Sequence, residues 1–437
     1  MRGPFRNQAF RRLFAGRVLT NIGDSVYFIA AMWLVYDLTA NPLYTGIAGF
    51  LTMAPSALQF LAGPIVDRWS IRHILAGTQA IQAVVVLLVP VAYYLDALTV
   101  GVVLVVMPTL SALNQLVYPA QIAALPRLLE DEKLVAANSA FALAKQGLDM
   151  VANGVSGVLI GIVGAVTLFV LDAVTFAIAA LLFATVAIPQ AEPSTAAQAG
   201  NETDDPVQSA DESPVVADGG QDEGKSLSYS ARLRAGGRFL RGTFLVPLLG
   251  GAAIVNATAG MVLAALPAYA DSLAGGAVAI GDAGAYGVLM AAFAGGNFFG
   301  ALSANVIDDW RLGRTLIGAF LATGSLWTVA VAVEWLPLTA VLMGLAFIPV
   351  GAVNVQIAAV VQAAPPDHFV GRVSSLLGSV TAASIPVGSL AGGIVAATYS
   401  PSAALLFLGI AAIGYGAYVV VHPTLRSLPT IHEIQLR

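Results

Sequence analysis

The chain has 437 residues, 58% of them hydrophobic and only 10% charged, with a net charge of −5 and a mean hydropathy of +0.82. A soluble domain carries about 25% charged residues, so this length reads as a series of bilayer spans rather than as soluble domains. The absence of cysteine excludes disulfides, thiol catalysis and cysteine metal sites, and the acidic balance leaves no electrostatic footprint for nucleic acid.

A helix needs about 20 apolar residues to cross the hydrocarbon core. The first such run, 13–38, follows Arg2, Arg6, Arg11 and Arg12 and reads as an uncleaved start rather than a signal peptide. Runs at 43–66, 74–96, 99–124, 137–160 and 163–188 complete a first set of six. Residues 189–230 are acidic, rich in Pro, Ser and Gly and nearly free of large apolar side chains. Such a segment cannot bury enough surface to fold. The stretch "ARLRAGGRFLRG" (231–242) then reads as a basic amphipathic segment facing lipid headgroups. A second set of runs follows at 244–270, 284–306, 314–335, 337–363, 374–397 and 402–421. All are longer than the roughly 10-residue strands of a membrane barrel. The expectation is an all-α integral membrane protein of 12 transmembrane helices, with six-helix halves at 1–188 and 243–437 joined by a cytoplasmic linker at 189–242.

The charges orient the chain. Arg68 and Arg72, Arg127 and Lys133, the central basic stretch, Arg311 and Arg314, Arg372 and Arg426 all fall on one side of the predicted spans. The alternate loops hold Asp96, Asp271, Asp282 and Glu334 and no Lys or Arg. Positive residues stay cytoplasmic. Both termini and the linker are therefore expected inside, in a multi-pass protein of the cell membrane.

One motif is a decoy. "GGQDEGKS" (219–226) fits the phosphate-loop pattern, but no strand precedes it and Asp222 and Glu223 would repel phosphate. There is no H-E-x-x-H or G-x-S-x-G pattern, so no enzyme chemistry, and no cofactor, is expected.

The halves echo each other. "GPIVDRWSIRHIL" (63–75) and "GALSANVIDDWRLGRTL" (300–316) both run small residues, acid, Trp, basic residue, next helix. "VANGVSGVLIG" and "IPVGSLAGGIV" enrich spans 5 and 11 in small residues, which let helix backbones approach. Two repeated halves suggest a transporter with its site between them.

At these residues the chain resembles the major facilitator superfamily. "GPIVDRWSIRHIL" is similar to that superfamily's loop 2–3 signature, with Gly63, Asp67, Arg68 and Arg72 at matching positions. The resemblance implies a conformational latch there, with Asp67 meeting a facing helix end in the outward-facing state; the plainer reading is that Arg68 and Arg72 only orient the loop. Asp308, Asp309 and Arg314 would be a weaker copy. "FRRLFAGRVLTNIGDSVYFIA" (10–30), "YPAQIAALPRLLEDEKLVAANS" (118–139), "LDAVTFAIAALL" (171–182) and "VGRVSSLLGSV" (370–380) resemble the macrolide-efflux and enterobactin-exporter-like branch. The resemblance implies a monomer without cofactor that moves a small molecule. The chain departs from the pattern of many drug antiporters in two ways. Ala152-Asn153 stand in the Gly-Pro-rich motif of span 5, and span 4 lacks the Arg that many proton-coupled members carry.

Charges inside the spans are few: Asp24 in span 1, Lys145 and Asp149 in span 5, and Asp172 in span 6. An intramembrane ionisable residue is a functional candidate by default, because burying it costs roughly 2.5 kcal/mol or more. Lys145 and Asp149 are four apart and share a helix face, either as a self-neutralising pair or as substrate ligands. Asp172 reads as a structural hydrogen-bonder. Asp24 has no opposite charge one turn away; it either binds a proton (or sodium, or a cationic substrate) or forms a hydrogen bond across helices. Polar candidates for the pathway are Asn21, Tyr27, Gln115, Asn256, Asn354 and Gln356, with Asn114, Gln146 and Asn297 beside them. Tyr27, Phe28, Trp33, Phe298 and Phe299 are candidates for an aromatic wall. The function that follows is secondary transport by alternating access, as proton-coupled efflux of amphipathic small molecules. An uptake or facilitative carrier of the same fold, or a non-transporting membrane sensor, is the alternative.

Overall fold

A computed structural model describes residues 3–56, 69–188, 244–274, 281–363, 367–430 and 433. The predicted linker and Gly63, Asp67 and Arg68 of loop 2–3 lie outside the described residues. Every regular element among the described residues is helical, and a helix stands at each of the twelve predicted places. Among the described residues, nine helical spans are long and apolar enough to cross a membrane, with a shorter apolar helix at Ala382–Thr398.

The first half starts with α1 (Gln8–Thr39). Asn7 caps it: its Oδ1 accepts from the amides of Ala9 at 2.8 Å and Phe10 at 3.2 Å, satisfying donors that the first turn leaves open. Its Nδ2 donates to the Leu128 carbonyl at 2.6 Å, which ties the start of span 1 to the end of span 4. α2 (Pro42–Met53) opens with proline in its first turn, where the missing N–H costs nothing.

Spans 3 and 4, expected as single helices, are each interrupted. Span 3 is α3 (Ile71–Val86) and α4 (Leu88–Tyr94); span 4 is α5 (Val100–Asn114) and α6 (Val117–Leu128). The cause is proline. A proline ring clashes with the carbonyl four residues earlier; Pro90 points at residue 86 and Pro119 at residue 115, where the two ladders stop. α7 (Asp131–Val163) and α8 (Ala165–Ala184) are joined by Gly164 alone, at φ +80°, a conformation that only glycine adopts cheaply.

The second half comprises α9 (Leu245–Ala274), α10 (Gly281–Ser303), α11 (Leu312–Val333), α12 (Leu336–Ala363), α13 (Asp367–Thr398), α14 (Pro401–Val421) and the short α15 (Pro423–Arg426). The chain then folds back onto α11. The amides of Leu312 and Gly313 donate to the carbonyls of Pro429 (3.0 Å) and Leu428 (3.4 Å).

The distribution of the core gives the shape. One buried cluster crosses both halves and includes Trp33, Phe169, Tyr269, Tyr286 and Trp327. At the end that carries the termini the cores are separate. Phe10, Leu75, Leu125 and Phe183 fill the first half, and Leu248, Phe320, Tyr415 and Leu425 fill the second. The halves are thus joined at the end away from the termini and have independent interiors at the other.

Candidate functional site

Span 1 organises the site. Arg17, Asn21, Asp24 and Phe28 recur at helical spacing on one face of α1. At 1.5 Å per residue they form a stripe about 16 Å long, and the two ends of this stripe wall two different cavities.

The first cavity, of about 710 Å³, lies in the N-terminal half. Arg17 and Asn21 of α1, Asn114 and Gln115 at the break in span 4, Gln121 of α6 and Lys145 of α7 line it. Arg17 is only 6% exposed. Its Nε donates to Gln121 Oε1 at 2.9 Å and one terminal nitrogen donates to Thr20 Oγ1 at 3.4 Å. The break in span 4 falls at the cavity edge: Asn114 ends α5 there and Gln115 Nε2 donates to the Ser111 carbonyl at 3.2 Å.

Next along the stripe is a pair of carboxylates. Asn114 Nδ2 donates to Asp24 Oδ2 at 3.1 Å, the cross-helix bond that the sequence left as one of the options for Asp24. Asp172 of α8 is 1% exposed and accepts from Thr175 Oγ1 at 3.1 Å through Oδ1. Its Oδ2 meets no hydrogen-bond partner among the described residues. Asp172 Oδ1 lies against Gly23, the residue before Asp24. Gly23 makes this possible: a side chain at position 23 would collide with Asp172 Oδ1 and Thr175 Oγ1. Tyr27 is buried beside both acids, its ring edge-on to Phe169 at 5.7 Å and its hydroxyl 3.5 Å from the Met107 carbonyl.

The second cavity, of about 360 Å³, lies mostly in the C-terminal half, with Phe28 and Ile29 of α1 closing one side. Its wall is aromatic and aliphatic, with Phe347 and Tyr415 among its rings and the amides of Asn256, Asn297 and Asn354 as its polar points. No charged residue lines it among the described residues. This is the usual make-up of a small-molecule site, apolar with a few placed polar groups.

Beyond both cavities the halves are sealed. Trp33 stacks on Tyr286 at 5.7 Å, Tyr36 donates to Asp271 Oδ2 at 2.7 Å, and the Thr45 hydroxyl donates to the Ala264 carbonyl at 2.6 Å. Ser389 Oγ donates to the Gly46 carbonyl at 3.3 Å. Gly157 meets Gly287 backbone to backbone, with no room for a Cβ on either, and Gly46 meets Gly393 in the same way. The cross-half hydrogen bonds and ring contacts among the described residues all sit at this end.

The remaining predicted residues scatter. Gln356 is 2% exposed and donates to the Ile307 carbonyl at 3.0 Å, so it braces α12 against the turn after α10. Arg72 is exposed on the second residue of α3. The side chains of Gln146 and Asp149 lie outside the described residues. The expected aromatic wall is corrected: Phe28 lines the apolar cavity, but Trp33 belongs to the seal and Phe298 and Phe299 are exposed at 37% and 60%. Phe293, Phe320, Phe347 and Tyr415 form the wall instead. Gln121 was missed, although Asn114, Gln115, Tyr118 and Gln121 recur at helical spacing and could have revealed it.

Comparisons with known proteins come last. The family model described as Major Facilitator Superfamily matches residues 13–389. No curated protein matches. Among solved structures, the chain is similar to a bacterial homologue of the human lysosomal transporter Spinster in an inward-facing and unoccupied conformation. The TM-score is 0.64 at 14% identity, covering 98% of this chain and 97% of that one. It is also similar to the nucleoside transporter NupG (TM-score 0.64, 12% identity, covering 95% and 97%). A third is PepTSo, a transporter of the POT family (TM-score 0.63, 12% identity, covering 98% and 99%). At these identities the likeness is one of fold.

Proposed function

This chain belongs to the Major Facilitator Superfamily, and from that premise we propose that it is a secondary active transporter that exports amphipathic small molecules in exchange for protons. The observation that carries the reading is the double use of α1. The same helix face bears Asp24, beside Asp172, and Phe28, which walls the apolar cavity. A shift of this helix is felt by both the acid pair and the ligand.

An ionisable side chain at membrane depth is a functional candidate, and Asp24 and Asp172 on facing helices are suited to take up and release a proton as their surroundings change. With the linker and termini in the cytoplasm, the joined end faces outward and the cavities open inward, ready to load from the cell. Export follows when the seal at Trp33, Tyr36 and Gly157 opens and the terminus-bearing ends close. The efflux direction rests on the resemblance to the macrolide-efflux and enterobactin-exporter-like branch. The uncharged lining of the apolar cavity supports an amphipathic body for the substrate.

The test is dye or macrolide flux in proteoliposomes under an imposed pH gradient, with wild type and Asp24→Asn side by side. Gradient-driven flux in wild type that vanishes in the variant, with an unchanged melting temperature, is the expected result. Equal flux in both would remove Asp24 from coupling. A sodium gradient replacing the proton gradient would reassign the ion.

A further inference from the structure

The two halves repeat in register as well as in plan. Gln-Ile-Ala-Ala stands at 121–124 in span 4 and again at 356–359 in span 10, 235 residues apart. The same offset carries Arg17, Asn21, Asp24 and Phe28 of α1 onto Ala252, Asn256, Ala259 and Leu263 of α9, and these four residues of α9 all line the apolar cavity. We propose that this cavity selects an uncharged amphiphile bearing hydroxyl or N–H donors, and that Ala252 and Ala259 set the selectivity by standing where the first half has an arginine and an aspartate. The inference rests on the transporter reading above and narrows its substrate class.

Two observations carry it. The first is the substitution itself. One helix face recurs with its asparagine kept and both charges replaced by alanine, so at these two places the cavity lacks the groups that would hold an ion. The residues that line it are uncharged among those described. An ion entering such a wall gives up its water and gains no opposite charge. The ring faces of Phe293, Phe320 and Phe347 attract an ammonium, but by less than its desolvation costs.

The second observation is the direction of the hydrogen bonds. Asn256 Nδ2 donates to the Ala252 carbonyl at 2.9 Å, and Asn297 Nδ2 to the Phe293 carbonyl at 3.1 Å. A carbonyl can only accept, so chemistry fixes which way each amide is turned. Each amide keeps one N–H and a carbonyl oxygen with two acceptor sites. Thr323 Oγ1 donates to the Ala346 carbonyl at 2.9 Å, and the Tyr415 hydroxyl to the Leu248 carbonyl at 3.5 Å. Both hydroxyls have placed their one proton and offer only acceptor sites to a ligand. Acceptors therefore outnumber donors among these groups, and a ligand that brings donors leaves fewer of them unpaired.

The experiment uses the full chain in nanodiscs of neutral phosphatidylcholine and four probes built on one pyrene body. They are 4-(1-pyrenyl)butan-1-ol, its methyl ether, 4-(1-pyrenyl)butylamine and 4-(1-pyrenyl)butanoic acid, at neutral pH, where the amine is an ammonium and the acid a carboxylate. Trp327 packs edge-on to Phe347 of the cavity wall at 5.4 Å, so energy transfer from tryptophan to pyrene reports entry. Empty nanodiscs give each probe's partition into lipid, and only the saturable part of the signal is counted. The alcohol should bind about tenfold more tightly than the ether, the amine or the acid, the scale of one hydrogen bond to an otherwise unpaired group. Asn256→Leu should remove the alcohol's advantage over the ether. Ala259→Asp should raise the amine to the level of the alcohol or above it, and Ala252→Arg should do the same for the acid, while Ala259→Ser keeps the wild-type order. Melting curves confirm that each variant is folded, and the wild-type order alone decides the substrate class if a charged variant is not. An amine or acid that binds wild type as tightly as the alcohol overturns the uncharged class and leaves the transporter reading in place. An ether equal to the alcohol overturns the need for donors. A wild-type order that persists in folded Ala259→Asp and Ala252→Arg overturns the role of the two alanines. Binding of none of the four probes overturns the amphiphile reading and this inference with it.

Discussion

The two halves share a plan and divide the chemistry. Among the described residues, the buried charges Arg17 and Asp172, and the half-buried Asp24, belong to the N-terminal half. Among the same described residues, those of the C-terminal spans that line their cavity are neutral, with Asn256, Asn297 and Asn354 as the polar ones. Their helices are drawn together by glycines: Gly296 and Gly300 of α10 press on the carbonyls of Gly344 and Ile348 of α12, and Gly260 of α9 on Ile385 of α13. Such close approach suits a rigid wall held by van der Waals contact. Charge needs room, partners and water, and the first half supplies them with a larger cavity and a broken span 4. Duplicated topology therefore fixes where helices lie without fixing what each copy does.

The largest effect is expected where the halves touch. Gly157→Val or Gly287→Val puts a side chain where the opposing backbone already is. Overpacking costs typically 1–3 kcal/mol, and about 3 kcal/mol shifts a two-state balance roughly 150-fold. Transport should nearly cease while the protein remains folded. Because the chain has no cysteine, a single Ala268→Cys, at a position only 4% exposed while the halves are sealed, reports by maleimide labelling whether the joined end now stands open. Normal flux and unchanged labelling would mean that the seal is not part of the cycle.

The next effect tests the division of labour. Asp24→Asn and Asp172→Asn, both in the first half, should each cut gradient-driven flux by about tenfold or more, the scale of a coupling energy of 1–3 kcal/mol. Ligand binding without a gradient should hold. Asn354→Leu, in the second half, should do the reverse, raising KM by about tenfold through one lost hydrogen bond of about 1.4 kcal/mol with coupling intact. The comparison breaks if the acidic variants alter KM alone, or if Asn354→Leu uncouples.

These expectations draw unequally on sequence and structure. The twelve helical places were legible because apolar runs of span length have few other uses in a chain this poor in charge. The proline breaks were half legible. Pro90 and Pro119 interrupt their spans, yet Pro108, Pro267, Pro349 and Pro386 sit inside continuous helices, since neighbouring helices can re-satisfy freed backbone groups in a membrane. Asp24, Asp172 and Lys145 stood out singly, as charges in apolar runs. That Asp172 lies against Gly23 beside Asp24 was not legible, because the two acids are 148 residues apart in sequence and only the crossing of α1 and α8 brings them together. Gln356 resembled Asn354 in sequence but lies two residues along the helix, on another face, where it braces the fold.

The smallest effect lies at a single hydroxyl. Tyr36 and Asp271 join the last turn of α1 to the far end of α9 across the seal, and the acids Asp37 and Asp282 stand nearby. The hydroxyl places a donor among carboxylates that would otherwise repel across the mouth. Tyr36→Phe removes the donor and keeps the ring beside Trp33. A typical net hydrogen bond contributes about 0.5–1.5 kcal/mol, so the balance should move roughly two- to tenfold toward the open mouth. Labelling at the buried Ala268→Cys should rise by that factor, with little change in melting temperature. The same variant joined to Gly157→Val should label no faster than Gly157→Val alone, because a mouth already forced open has no hydrogen bond left to lose. Additive labelling would instead show that the tyrosine and the glycine pair hold separate parts of the seal, and that the two halves meet there as two independent contacts rather than one.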